Sequence, residues 1–145
     1  MTKILVAADA QWVRDQVSMA CTGPGQTVIS VSRGQDVRAV VGSEQPDLVV
    51  LDLQIGNMGG FAVATDLRLE ESAGRLPYVP ILLLLDRDAD QFLARRTAAD
   101  GFLVKPLDPG TLRRTAKQLL EQPQAEGPEQ GADTLSPPRD VAQLG

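Results

Sequence analysis

Four charged residues of this sequence could act together in chemistry: Asp9, Asp52, Asp86 and Lys105. Three carboxylates beside one ammonium group could hold a hard divalent cation next to an anionic group. Taken singly, each residue could equally be a solvated residue at the end of a strand. The prediction of a site therefore depends on the elements that would bring the four side chains together.

Short apolar runs alternate with segments of helical periodicity, a pattern typical of repeated βα units around a parallel sheet. The runs predicted as strands are residues 3–8, 27–31, 48–51, 81–85 and 102–104. The segments predicted as helices are residues 11–21, 36–42, 61–71, 88–99 and 111–121. The third and fourth strands are apolar at every position, so we expect them to be central and buried on both faces.

Each of the four charged residues stands at or directly after the end of a predicted strand: the first, third, fourth and fifth. In a doubly wound parallel sheet, ligands bind in the crevice beyond the carboxyl ends of the strands. The predicted fold class is therefore α/β, and we expect Asp9, Asp52 and Lys105 to share a pocket at this rim, with Asp86 beside them.

The composition argues against several functional classes. A formal net charge of −5 leaves no basic excess for binding nucleic acid or an anionic membrane surface. The sequence contains no histidine, which removes His–Cys zinc sites and the usual catalytic triads. Cys21 is the only cysteine, so no internal disulfide can form, and we expect a small buried core thiol.

Residues 1–121 are predicted to form one domain and residues 122–145 a tail. The tail contains four prolines, three glycines and four acids against one base, a composition that predicts disorder. No apolar run approaches the roughly 20 residues of a membrane helix, and the first residues indicate a strand rather than a signal peptide. We therefore expect a cytoplasmic protein without a separate effector domain.

Three segments, in register and in order, resemble the receiver domain of two-component response regulators. They are residues 46–53 (PDLVVLDL), 58–61 (MGGF) and 99–106 (ADGFLVKP). The resemblance covers about residues 1–121. It implies a flavodoxin-like (βα)5 fold whose parallel strands lie in the order 2-1-3-4-5.

The same resemblance implies roles for individual residues. Asp52 would accept a phosphoryl group from a histidine kinase or a small phosphodonor, and Lys105 would contact the phosphoryl group and the carboxylate. Asp9, Asp52 and the backbone carbonyl of Gln54 would hold Mg²⁺. Pro106 matches the proline that follows the lysine, usually across a cis bond. Such a domain signals through protein contacts and is an enzyme at most toward its own aspartate.

Four positions depart from the family pattern or lose their partner. Ala8 stands where a second acid is usual, so weak Mg²⁺ binding is expected. Leu85 stands where a Thr or Ser hydroxyl contacts the phosphoryl group, so phosphorylation would lack the contact that shifts the conformation. Phe102 matches the switching aromatic but would be a plain core or surface residue without that hydroxyl. Asp86 replaces a small residue, and its charge would oppose phosphorylation.

Two functions stay open on these grounds. One is a single-domain response regulator phosphorylated at Asp52, and the other is a receiver-like interaction module that works without phosphorylation. A haloacid-dehalogenase-type phosphatase is disfavoured because Gln54 stands where its second acid would be. A flavodoxin-like nucleotide-binding protein is disfavoured because no glycine-rich loop follows the first strand.

Output is expected to pass through a protein surface on the fourth helix, fifth strand and fifth helix. Basic residues predicted on this face are Arg95, Arg96, Arg113, Arg114 and Lys117. They would dock an acidic downstream partner or support a homodimer, although basic helix residues are commonly just a solvated face.

Overall fold

A parallel sheet in the order β2-β1-β3-β4-β5 forms the centre of the fold. The computed structural model describes residues 1–55 and 59–122. The strands are β1 (Thr2–Ala7), β2 (Gln26–Val31), β3 (Leu48–Asp52), β4 (Ile81–Leu85) and β5 (Gly101–Val104). The helices are α1 (Gln11–Cys21), α2 (Val37–Glu44), α3 (Gly60–Ser72), α4 (Gln91–Arg96) and α5 (Pro109–Glu121). The predicted fold class and strand order are confirmed.

Helices cover both faces of the sheet. On one face, α1 and α5 pack against alternate residues of the strands. On the other face, α2, α3 and α4 pack against the remaining residues. Every residue of β3 and β4 is buried, which explains why these two strands are apolar throughout except at the terminal Asp52. Cys21 is a free buried thiol in this core, as predicted.

The fourth helix is shorter than the predicted 88–99, and that prediction was wrong at both ends. Residues Asp88–Asp90 form a 3₁₀ turn, and the α-helix ends at Arg96. The N–H of Thr97 bonds to the Ala94 carbonyl at 3.3 Å, and Ala98 adopts a left-handed φ of 60°. This left-handed residue turns the chain toward β5 without a glycine to mark the turn in the sequence.

The predicted tail, apart from Gln122, lies outside the described residues, as do residues 56–58 between β3 and α3, of which only Met58 belongs to the 58–61 segment that resembles the family. None of the helices in the described part of the chain has the length and apolar character required to cross a bilayer.

Gly60 lets α3 begin against the end of β3. A Cβ at this position would lie 2.6 Å from the Asp52 carbonyl oxygen, whereas one at Gly59 would lie 4.0 Å from its nearest neighbour. Because the crowded atoms are backbone, Gly60→Ala is expected to lower the free energy of unfolding by about 2 kcal/mol. Urea unfolding followed by circular dichroism measures this loss. Gly59→Ala is the control and should cost less than about 1 kcal/mol; equal losses would contradict the steric argument.

Candidate functional site

The carboxyl-end rim of the sheet brings Asp52, Asp86 and Lys105 into direct contact. The Lys105 Nζ donates to Asp52 Oδ1 at 2.5 Å and to Asp86 Oδ1 at 2.9 Å. Backbone pairing positions the three side chains, since Asp52 pairs with Leu84 and the Lys105 N–H bonds to the Leu85 carbonyl at 2.8 Å. The ends of three adjacent strands thus form one charged cluster.

Asp52 is the buried member of this cluster. Its exposed fraction is 0%, and its Oδ2 has no hydrogen-bond partner among the described residues. Burial raises the pKa of the Asp52 carboxyl above its ordinary value, although the hydrogen bond and charge of Lys105 act in the opposite direction. The structure therefore presents a desolvated carboxylate with one oxygen held by a cation and the other unpartnered.

Asp86 is held from two sides. Its Oδ1 accepts from Lys105, and its Oδ2 accepts from Gln54 Nε2 at 2.8 Å. Burial opposes ionisation of Asp86, but the hydrogen bonds from Gln54 and Lys105 outweigh it and lower the pKa of this carboxyl. The pKa of Lys105 is raised, because its contacts with Asp52 and Asp86 outweigh its burial. The Gln54–Asp86 and Lys105–Asp86 hydrogen bonds therefore favour the charged form of Asp86, and the contacts of Lys105 with Asp52 and Asp86 favour the charged form of Lys105.

Asp9 lies at the same rim but is less closely engaged. Its backbone N–H donates to the Gln54 carbonyl at 3.0 Å, and its side chain is exposed, while Ala8 is buried. The Arg14 guanidinium donates to the carbonyls of Ala8 and Asp9 at 2.6 and 2.9 Å. Within residues 1–55 and 59–122, acidic side chains do not gather into a group of three that could hold a metal ion.

The donors at this rim nevertheless suit Mg²⁺ in type. Mg²⁺ prefers oxygen ligands and commonly binds through one or two carboxylates while keeping several waters. Asp52 Oδ2 is an unpartnered buried oxygen, and the Gln54 carbonyl stands next to the Asp9 backbone. The carboxylates of Asp9 and Asp52 and the Gln54 carbonyl therefore fit Mg²⁺ in type. Ala8 offers no carboxylate next to that of Asp9.

Two contacts at the site were not predicted from the sequence. The side-chain amide of Gln54 bonds to Asp86, whereas only its backbone carbonyl was expected to matter. Lys105 Nζ lies 5.8 Å from the ring centroid of Trp12, the single tryptophan of the chain, which is 55% exposed. The only signal for Trp12 was its place in the first turn of a helix that starts at the rim.

The two positions that match the switch residues of the family, Leu85 and Phe102, are an apolar and an aromatic residue. Leu85 is 0% exposed and belongs to the same apolar cluster as the partly buried Phe102. The Arg95 guanidinium lies 5.7 Å from the centroid of the Phe102 ring. The Lys105–Pro106 peptide bond is cis, as expected. The Leu85 side chain, which has no hydroxyl group, is therefore buried in the core, and Phe102 packs against this core and Arg95.

The predicted basic face is wrong for Arg113 and Lys117. Arg113 Nε donates to the Ala20 carbonyl at the end of α1 at 3.1 Å, and both residues line a groove between α1 and α5. Leu112 and Ala116 are buried, and Arg113 and Lys117, each one residue later and therefore about 100° around the helix, lie on the side of α5 that faces this groove. Arg114 is exposed and donates to the Thr111 hydroxyl at 3.2 Å.

Comparison with known families gives one match over most of the chain. The family model of the response regulator receiver domain matches residues 4–117. PilH of Pseudomonas aeruginosa is 26% identical over 120 residues, which cover 83% of this chain and 98% of PilH. The probable transcriptional regulator ycf27 of Pyropia yezoensis is 32% identical over 122 residues, 83% of this chain and 48% of that protein. The chain thus spans about half the length of several curated relatives that it matches.

Solved structures give the same relationship. The chemotaxis response regulator CheY4 of Vibrio cholerae is 26% identical, with a TM-score of 0.72 over 82% of this chain and 98% of that one. The BeF3-activated receiver domain of Klebsiella pneumoniae RstA is 28% identical, also with a TM-score of 0.72, over 83% of this chain and 100% of that one.

Proposed function

Because this chain belongs to the response regulator receiver domain family, a family of signalling modules, we propose that Asp52 accepts a phosphoryl group in two-component signalling. The observation that carries the proposal is the state of Asp52: buried, bonded to Lys105 through Oδ1, and unpartnered at Oδ2 among the described residues. Oδ2 would form the bond to phosphorus as the phosphorus bond to the donor breaks. The leaving group, the imidazole of a phosphohistidine or the carboxylate of an acyl phosphate, takes the electron pair of the broken bond.

Lys105 has the electrostatic role in this proposal. Phosphoryl transfer depends mainly on positioning and on neutralising the charge of the transferring oxygens. Lys105 is held in its charged form by the carboxylates it contacts. It can therefore neutralise the negative charge of the transferring phosphoryl oxygens without transfer of a proton. Bound Mg²⁺ would supply further neutralisation, and Asp9, Asp52 and the Gln54 carbonyl are the residues that would hold it. Its binding is expected to be weak because Ala8 offers no carboxylate.

Receiver domains exchange signals with histidine kinases and downstream effectors, and α4 is the proposed output surface here. Arg95 and Arg96 lie in the last turn of α4, and Phe92 and Leu93 in the same helix are 65% and 47% exposed. Apolar side chains beside arginines suit a partner whose surface combines apolar and acidic residues, or a second copy of the chain. Charge reversal of Arg95 and Arg96 should weaken such binding.

Leu85 favours a second candidate function. A fully buried leucine in the position of the family hydroxyl cannot donate to a phosphoryl oxygen. Phosphorylation would then add charge without the contact that biases the conformation. In this alternative the domain binds its partner constitutively, whether or not Asp52 is modified.

One assay separates the two candidates. The protein is incubated with acetyl phosphate and Mg²⁺, and intact mass is recorded with and without a chelator. A Mg²⁺-dependent gain of one phosphoryl group, located by peptide mapping to Asp52, is the expected result. Amide NMR spectra recorded before and after then test the switch: shifts confined to the rim favour the constitutive module, and shifts reaching α4 favour the switching regulator. No mass gain under any condition would refute the proposed acceptor role.

A further inference from the structure

Asp86 and Gln54 form a bridge across the rim that ends on Lys105. Gln54 follows β3, Asp86 follows β4 and Lys105 follows β5, so the two hydrogen bonds of Asp86 join the ends of three adjacent strands. Asp86 Oδ1 lies 2.9 Å from Lys105 Nζ, an ammonium group that Asp52 also contacts. The ammonium group of Lys105 is thus already shared between two carboxylates.

We propose that Asp86 is a resident anion that occupies, in the unmodified protein, the Lys105 contact which an incoming phosphoryl oxygen needs. Gln54 is the positioning residue that aims Asp86 at Lys105. The inference rests on the proposed phosphorylation of Asp52 and adds a brake to it. For a phosphoryl group to reach Lys105, the carboxylate of Asp86 must either move away or remain close to a second negative charge. Both raise the activation barrier for phosphorylation of Asp52.

The geometry favours this role over a second explanation, in which Asp86 replaces the metal-binding acid that is missing at Ala8. Both oxygens of Asp86 accept hydrogen bonds, one from an amide and one from an ammonium group. Asp86 also does not join Asp9 and Asp52 in a three-acid group within the part of the chain that the structure describes. Its carboxylate is directed to Lys105 rather than shared with the other acids.

Removing the carboxylate should release the brake. Asp86→Ala is expected to increase the rate of phosphorylation by acetyl phosphate about tenfold, the effect of one modest electrostatic contact on a barrier. Gln54→Met, which keeps the backbone carbonyl and loses the amide donor, should give a smaller increase. The control is Asp88→Ala, which removes the same charge from an exposed acid two residues away that bonds to Gln91. The phosphorylation rate of Asp88→Ala should stay within about twofold of the rate of the protein without substitutions.

A second measurement needs neither Mg²⁺ nor phosphoryl transfer. The chain has three lysines, Lys3, Lys105 and Lys117, so acetic anhydride labelling resolved by peptide mass reports Lys105 against two internal references. Because Asp86 is one of two carboxylates that hold the Lys105 ammonium group, Asp86→Ala should raise labelling of Lys105 several-fold. Labelling of Lys3 and Lys117 should not change, and Asp88→Ala should change none of the three.

The combined outcomes distinguish the brake from the proposed function. If neither the unmodified sequence nor Asp86→Ala gains a phosphoryl group, the acceptor role of Asp52 fails, and the labelling result alone decides whether Asp86 occupies Lys105. If both proteins are phosphorylated at the same rate, the acceptor role stands and the brake is refuted. A rate increase that Asp88→Ala reproduces would also refute it, since general charge removal would then explain the effect.

Discussion

Asp52→Asn is expected to abolish phosphoryl incorporation and, at neutral pH, to raise the free energy of unfolding. The amide cannot act as the nucleophile, so intact mass should stay unchanged with acetyl phosphate and Mg²⁺. The stability gain arises because burial raises the pKa of Asp52, so ionised Asp52 destabilises the folded state. A gain on the order of 1 kcal/mol is the typical scale for one residue, and urea unfolding in Mg²⁺-free buffer measures it.

The pH dependence of this gain has a defined sign. A carboxyl whose pKa is raised in the folded state favours folding below its unfolded pKa, near 3.8, and that contribution is lost as pH rises through the folded pKa. Asp52→Asn lacks this dependence. Its advantage should therefore be largest at neutral pH and should shrink as pH falls toward the ordinary aspartate range.

Asp88→Asn is the matched control for both measurements. Asp88 is exposed and lies outside the Lys105 cluster, so its amide variant should incorporate phosphate normally and unfold within about 0.5 kcal/mol of the unmodified sequence. Loss of stability in Asp52→Asn at neutral pH would contradict the assignment of Asp52 as a desolvated carboxylate whose charge is unfavourable in the folded state. Residual incorporation in that variant would place the acceptor elsewhere.

The position of Asp52, Asp86 and Lys105 could be predicted from the sequence because it depends on strand periodicity alone. Two continuous apolar runs require strands buried on both faces, and such strands occur in parallel sheets between helices. Parallel strands end at the same rim, so charged residues that end or follow the adjacent strands β3, β4 and β5 can meet there, whereas the exposed side chain of Asp9 after β1 does not join them. Distance along the chain, 53 residues from Asp52 to Lys105, is irrelevant to that argument.

The bridge through Gln54 could not be predicted in the same way. A strand pattern fixes where a backbone ends, but the direction of a side chain beyond that end depends on its rotamer and on the loop that carries it. The contact of Trp12 with Lys105 has the same origin. The early end of α4 depends on a left-handed alanine, Ala98, and alanine gives no sequence signal for that conformation.

The error at Arg113 has a different cause. The basic residues of α5 do not form one face, because residues 113 and 114 are successive and therefore point about 100° apart. The burial of Leu112, Ala116 and Leu119 fixes the rotation of α5, and that rotation turns Arg113 to the end of α1. The same rotation, applied to the arginines, places Arg113 and Arg114 on different sides of α5.

Lys105→Met is expected to cause the largest loss of stability among the site variants. The Asp52 and Lys105 side chains are 1% and 13% exposed, so the substitution leaves a buried carboxylate without its cation and removes the ammonium group that Asp52 and Asp86 share. Removing one partner of a buried pair costs about 3 kcal/mol. Urea unfolding at neutral pH in Mg²⁺-free buffer measures the loss. The deficit should diminish as pH falls, because a protonated Asp52 no longer needs a cation.

Two further proteins show whether the loss comes from the uncompensated charge. Lys117→Met makes the same exchange at an exposed position of α5 and should change stability by less than about 0.5 kcal/mol. The double variant Asp52→Asn with Lys105→Met removes both members of the pair and should recover most of the lost free energy, because coupling between contacting residues makes their effects non-additive. Additive effects of the two substitutions would mean that Lys105 stabilises the fold through packing of its carbon chain. The charge of Lys105 would then not be needed to compensate the carboxylate of Asp52.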